Sequence, residues 1–168
     1  MISPIRSNAE RPVLYTPEQR RRRDASRWTL VQGLLAPAQF VVFLVSLALV
    51  VRYLATGEGY GAATASIVVK TFFLYAIMVT GAIWEKVVFG QYLLAPAFFW
   101  EDVVSFFVIA LHTAYLVALF GGWLSSSGEM ALALAAYALY VINATQFLLK
   151  LRAARREAGG AEAAGLPA

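Results

Sequence analysis

Polar and apolar positions along this chain are sorted into long blocks rather than short periods. Four apolar stretches, residues 30–54, 65–84, 97–120 and 130–149, are separated by short segments rich in glycine, serine and charge. At about 1.5 Å rise per residue, helices of about 20 to 25 residues cross a hydrocarbon layer of roughly 30 Å, so the pattern predicts four membrane-spanning helices. The first is long enough to tilt or bend, and Pro37 is where a bend would come. Before it, Thr16, Pro17, Glu18 and Gln19 supply a cap, a first-turn proline and a capping-box partner, which predicts a short amphipathic or interfacial helix. The fold class is therefore all-α: a polytopic membrane protein. Its organisation is a cytoplasmic N-terminal segment with a basic run over residues 1–27, a four-helix domain over 28–151 and a tail over 152–168 that is basic and then disordered.

Composition supports the same class, because 60% hydrophobic against 14% charged residues in 168 leaves too little polar surface for a soluble globule. The polar N-terminus does not resemble a cleaved signal. The absence of cysteine removes disulfides, thiol nucleophiles and thiolate metal sites from consideration. Seven arginines, Arg6 to Arg27, precede the first span, and Lys150, Arg152, Arg155 and Arg156 follow the last. The positive-inside rule then places both termini in the cytoplasm, as an even number of spans requires. The loops near Gly59 and Ser126 fall outside. The apolar middle loop "EKVVFGQYLLAP" falls inside and reads as re-entrant or interfacial. Residues 20–23, all arginine, read as a topology signal resting on anionic lipid headgroups or as a docking site for an acidic partner or a substrate carboxylate. Nucleic acid is not an expected partner, since no reading element accompanies them.

Ionisable groups inside a membrane span are expensive and by default functional. Gln32, Gln39, Ser46 and Tyr53 recur every seven residues and form one stripe facing neighbouring helices. Lys70 either snorkels outward or is buried for a purpose. Asn143 and Gln146 share a face, as polar glue between helices or as substrate contacts. The third span carries most of the candidate chemistry. Glu101, Ser105, Val108 and His112 follow one helical face, with Asp102 a quarter-turn away. Glu85 and Lys86, at the end of the second span, lie at the same inner level. The expected result is a partly desolvated pocket of three carboxyls and one ammonium, roofed by Trp84, Trp100, Phe98 and Phe99. Its plainer reading is an ion-pair cluster that fixes two helices together, with His112 hydrogen-bonded in the core. Against that, carboxyls crowded away from water resist ionising together. One of them is then a competent proton donor at neutral pH.

Three strings, "IWEKVVFGQYLLAPAFFWEDVVS", "ALHTAYL" and "YVINATQFLLKLRAARR", with the segment from Tyr15 to Tyr60, resemble the vinyl bacteriochlorophyllide hydratase family of bacteriochlorophyll biosynthesis. The resemblance runs from about residue 15 to 156. It implies addition of water across the ring-A vinyl group of a chlorophyllide-type tetrapyrrole to give a hydroxyethyl group, without a cofactor. It further implies a bacterial inner membrane, cytoplasmic or intracytoplasmic, and admits other pigment-biosynthesis enzymes as partners. Protonating the terminal vinyl carbon leaves a cation conjugated with the macrocycle, which water attacks beside the ring. Spacing and burial make Glu101 the proton donor, with Asp102 or Glu85 orienting water and accepting its proton, one of the two held ionised by Lys86. His112 is either axial ligand to the substrate's magnesium or acid/base partner of the water. Its distance from Glu101, about 16 Å along the helix, favours ligation. Trp84, Trp100, Phe98, Phe99 and Tyr75 offer flat walls, and Asn143, Gln146 and Gln39 polar contacts, for the pigment. Two other classes remain as alternatives: a non-catalytic pigment carrier, and a small proton-coupled transporter. A single histidine argues against bis-histidine haem in a monomer. Carboxyls at a boundary rather than at mid-helix argue against the transporter.

Overall fold

The structure, a computed structural model, describes residues 14–163. The described residues form five helices: α1 (Pro17–Ala25), α2 (Arg27–Thr56), α3 (Tyr60–Phe89), α4 (Phe99–Gly121) and α5 (Ser126–Ala163). The irregular segment expected at the N-terminus lies outside them up to residue 13, as do residues 164–168.

Local chemistry sets the boundaries. Thr16 Oγ1 accepts from the Gln19 N–H at 3.2 Å while Gln19 Oε1 accepts from the Thr16 N–H at 2.9 Å, closing the capping box with Pro17 in the first turn. Ser26 ends α1 and caps α2 through the Trp28 N–H. Between α2 and α3 the chain reverses through Gly57 and Gly59, both at positive φ, where a side chain would be strained. α2 continues through Pro37. α5 does not stop at Arg156 but runs on to Ala163, past the point where the sequence suggested a disordered tail. Alanine, arginine and glutamate favour helix once one is nucleated, and Ala154 still packs against the cluster of Tyr15, Val88 and Phe98.

α2 packs closely along α3, and α4 along α5, giving two antiparallel hairpins. Looser contacts join them, α2 to α5 and α3 to α4. This seam is where most of the buried polar groups lie. The outer surface shows Leu34, Val41, Phe72, Phe107 and Phe120, whereas Gln39, Lys70, Glu101, His112 and Asn143 are buried. Apolar outside and polar inside is the distribution of a protein solvated by lipid, and four helices, Arg27–Thr56, Tyr60–Phe89, Phe99–Gly121 and Ser126–Arg156, are long and apolar enough to span. α1, which carries Arg20 to Arg23, lies against the Phe89 end of α3, anchored by Tyr15, which stacks on Phe89 at 5.7 Å. This is the basic end of the bundle.

Candidate functional site

Three carboxyls meet at the basic end. Glu85 comes from the penultimate turn of α3 and Glu101 and Asp102 from the first turn of α4, and all three are at most 6% exposed. The helix N-terminus favours negative charge there. The loop over residues 90–98 folds back over them. Asp102 Oδ2 accepts from the Leu94 N–H at 2.7 Å and Glu85 Oε2 from the Ala95 N–H at 3.1 Å. Leu94, at φ 59°, holds a left-handed conformation that turns these successive N–H groups to one side as a small anion-binding nest. Glu85 and Asp102 are also hydrogen-bonded to each other. An ionised carboxylate can only accept, so a hydrogen bond between the two carboxyls would need a proton on one of them.

Glu101 has a different partner. Its Oε1 lies 3.1 Å from Lys150 Nζ of α5, and Lys150 also donates to the Ala97 carbonyl at 2.5 Å. The other oxygen, Oε2, is buried with no hydrogen bond. Asn143 fixes this turn by donating to the Glu101 carbonyl at 2.9 Å, and Ser105 Oγ sits 3.2 Å from Asn143 Oδ1. Gln146, one turn further along α5, has its Oε1 buried and unpartnered.

Not every residue expected here is present. Lys86 turns away: its Nζ donates to the Gly90 carbonyl at 2.8 Å and lies 5.3 Å from the Tyr92 ring, and among the described residues it makes no ion pair. The ammonium of the cluster is Lys150, which sequence reasoning took for a topology marker. The level of α5 within an antiparallel hairpin was the signal for it, since its inner end must meet the start of α4. Trp84 and Phe98 pack edge to face at 5.6 Å, joined by Phe89, Tyr15 and Phe147, and Lys150 Nζ lies 5.5 Å from the Phe98 ring. Trp84 Nε1 donates to Thr29 Oγ1 at 2.9 Å. Trp100 is 68% exposed and, with Phe99, faces outward. Tyr75 lies further along α3, its hydroxyl 2.7 Å from Thr113 Oγ1.

A second polar group occupies the seam near the middle of α4. His112 is fully buried, with Nδ1 2.8 Å from the Val108 carbonyl. A carbonyl only accepts, so Nδ1 carries the hydrogen and Nε2 keeps its lone pair. That Nε2 has no partner. Beside it the Tyr137 ring lies at 5.9 Å, and Lys70 of α3 is within electrostatic range. Lys70 is also fully buried, its Nζ 3.7 Å from the centre of the Tyr140 ring. Gln39, from the α2 stripe, points at the same tyrosine, with its Oε1 unpartnered. From this group to the carboxyls is about 16 Å along α4, from His112 to Glu101, and about 22 Å along α3, from Lys70 to Glu85.

Residues 15–153 match the protein family described as 2-vinyl bacteriochlorophyllide hydratase. Among curated proteins, the chain is 69% identical over 161 residues to the 2-vinyl bacteriochlorophyllide hydratase of Cereibacter sphaeroides, covering 96% of this chain and 100% of that one. It is 68% identical over 159 residues to the protein of the same name from Rhodobacter capsulatus, covering 95% and 92%. No solved structure matches it.

Proposed function

The chain belongs to the 2-vinyl bacteriochlorophyllide hydratase family, and from that premise we propose that the carboxyl cluster at the basic end is where water is added to the vinyl group. The enzyme is a membrane-embedded hydro-lyase of bacteriochlorophyll biosynthesis. The observation that carries the site assignment is the convergence of the buried Glu85 and Asp102 carboxyls beside Glu101, which is ion-paired yet keeps one buried oxygen free.

In the proposed mechanism the pair gives its proton to the terminal vinyl carbon, forming a C–H bond. The positive charge moves to the carbon next to ring A and into the conjugated macrocycle. Water attacks that carbon, forming the C–O bond, and releases a proton to Glu101 Oε2. Glu101 is the base here because its Oε1 is paired with Lys150 while its Oε2 is free, so the roles differ from those that spacing alone suggested. Proton return from Glu101 to the neighbouring Asp102 completes the cycle, and the net change is one water added. A positioned acid and base of this kind each contribute about 10²- to 10⁴-fold to rate.

His112 suits the axial position of the substrate's magnesium, its unpartnered Nε2 lone pair facing the seam. The pigment enters sideways from the membrane between the two hairpins, with Trp84 and Phe98 as walls at the reacting edge. Both termini lie on the cytoplasmic side of a bacterial inner membrane, with residues 20–23 on its anionic headgroups.

The direct test is spectroscopic. Membranes containing the protein, mixed with vinyl bacteriochlorophyllide, shift the red absorption band to the blue as vinyl conjugation is lost. Pigment binding with no shift would instead identify a carrier.

A further inference from the structure

The proposed chemistry makes no use of Lys70, although it is among the least accessible charged side chains in the bundle, at 0% exposure. Its Nζ has no hydrogen-bond partner. The ion pairs among the described residues are Arg22 with Glu18, Arg23 with Asp24, Arg52 with Glu58 and Lys150 with Glu101, none of which involves it. The seam carboxylate towards the far end, Glu129, is engaged by the Tyr60 hydroxyl. What Lys70 does have is the face of Tyr140 at 3.7 Å. A cation on an aromatic face recovers about 0.5 to 2 kcal/mol, while taking an ammonium out of water costs several kcal/mol. Tyr140 alone leaves most of that cost uncompensated. The side chain does not snorkel either, since its head group is buried with its stem. A buried amine with no ion-pair partner in a loosely packed seam is a site where a bound anion would hold it in its charged form.

A chlorophyllide-type pigment supplies one, because its macrocycle carries an unesterified carboxylate on a ring other than the one bearing the vinyl group. That carboxylate faces the same difficulty in an apolar slot. We infer that Lys70 binds the free carboxylate of the pigment, with Gln39 and Tyr140 beside it, so that this end of the macrocycle is held at mid-membrane. The assignment rests on the hydratase reading for the identity of the ligand. It also fits the placement of His112, which lies within electrostatic range of Lys70 in the same seam. The Lys70 Nζ lies on the Tyr140 ring, one turn of α5 from the Asn143 that bonds the Glu101 carbonyl, so the carboxylate anchor and the acid cluster face the same seam.

The test compares binding of vinyl bacteriochlorophyllide with binding of its methyl ester, followed by the absorption change of the pigment on the full-length protein in lipid nanodiscs. Wild type prefers the free acid by about 10- to 100-fold, as a charge-assisted hydrogen bond gives. Lys70→Met binds acid and ester alike, at the wild-type affinity for the ester, and Lys70→Arg restores the preference. Equal binding of acid and ester by wild type overturns the inference without any variant having to fold, and so does a preference that survives in Lys70→Met. The readout is binding and not turnover, so the two failures separate. Failure to bind either pigment sinks the hydratase reading, whereas binding without preference sinks only the role of Lys70.

Discussion

Asp102 does two things that a single substitution can separate. Its Oδ2 accepts the Leu94 N–H at 2.7 Å, tying down the loop, and in the proposed mechanism its carboxyl shares a proton with Glu85. In Asp102→Asn the amide oxygen still accepts from Leu94 and the amide nitrogen donates to an ionised Glu85. Hydrogen bonds are exchanged rather than lost, and the stability cost is about 1 kcal/mol or less. The transferable proton is gone. Loss of a general acid lowers turnover by about 10²- to 10⁴-fold, which is roughly 3 to 5 kcal/mol of transition-state stabilisation. In Asp102→Ala the Leu94 N–H is left buried without an acceptor and Glu85 without a partner, adding roughly 2 to 4 kcal/mol of destabilisation. Asparagine therefore removes activity from a protein that still folds, and alanine damages both.

The assay is the initial rate of the blue shift with saturating vinyl pigment, alongside thermal unfolding in detergent. Glu85→Gln should reproduce the asparagine result. Because the two carboxyls hold one proton between them, the double variant Glu85→Gln/Asp102→Asn should be no slower than either single one. An Asp102→Asn enzyme within tenfold of wild-type turnover refutes the shared proton as the source of catalysis. It would leave the pair as a loop anchor.

Replacing Lys150 by methionine leaves Glu101 buried beside Asp102 with no counter-ion, and turnover should fall at least tenfold, with recovery in Lys150→Arg. Lys86→Met, at an exposed lysine bonded to Gly90, should stay within about twofold of wild type in the same rate assay. His112→Ala should weaken binding of the magnesium pigment while leaving the metal-free pigment unaffected, as a titration of each form will read. A binding loss equal for both pigments would return His112 to a packing role. Cysteines introduced at Gly59 and Ser126 should react with an impermeant thiol reagent only from the non-cytoplasmic face. Labelling from the cytoplasm would invert the topology.

The helices were legible because a membrane makes the apolar run itself the signal, and the Gly57–Gly59 reversal because only glycine suits two positive-φ positions so close together. The face of α4 was legible too, since Glu101, Ser105 and His112 are polar residues at helical spacing with few alternatives. Aromatic orientation was not. Lipid and protein interior are equally apolar, so Trp100, which faces outward, and Phe98, which is buried, look alike in sequence. The exchange of Lys86 for Lys150 has a related cause. A lysine at the end of an apolar run can mark topology or fill an ion pair, and only the pairing of α4 with α5 brings Lys150 within 3.1 Å of Glu101. The N–H groups of Leu94 and Ala95 are backbone donors and carry no sequence signature.

The depths of the two polar groups constrain how a pigment could lie between them. Hydration consumes water at the vinyl carbon, so the reacting edge belongs near an interface where water can be replaced. The magnesium has the opposite requirement, because water competes with a histidine nitrogen for the same axial position. The carboxyl cluster sits at the headgroup end of α3 and α4, and His112 sits fully buried about 16 Å deeper. Turning the pigment end for end about its central magnesium would leave the metal at His112 but put the vinyl group where no water is available. The orientation with ring A toward the basic end meets the water requirement, and it carries the opposite edge of the macrocycle up the seam toward Lys70.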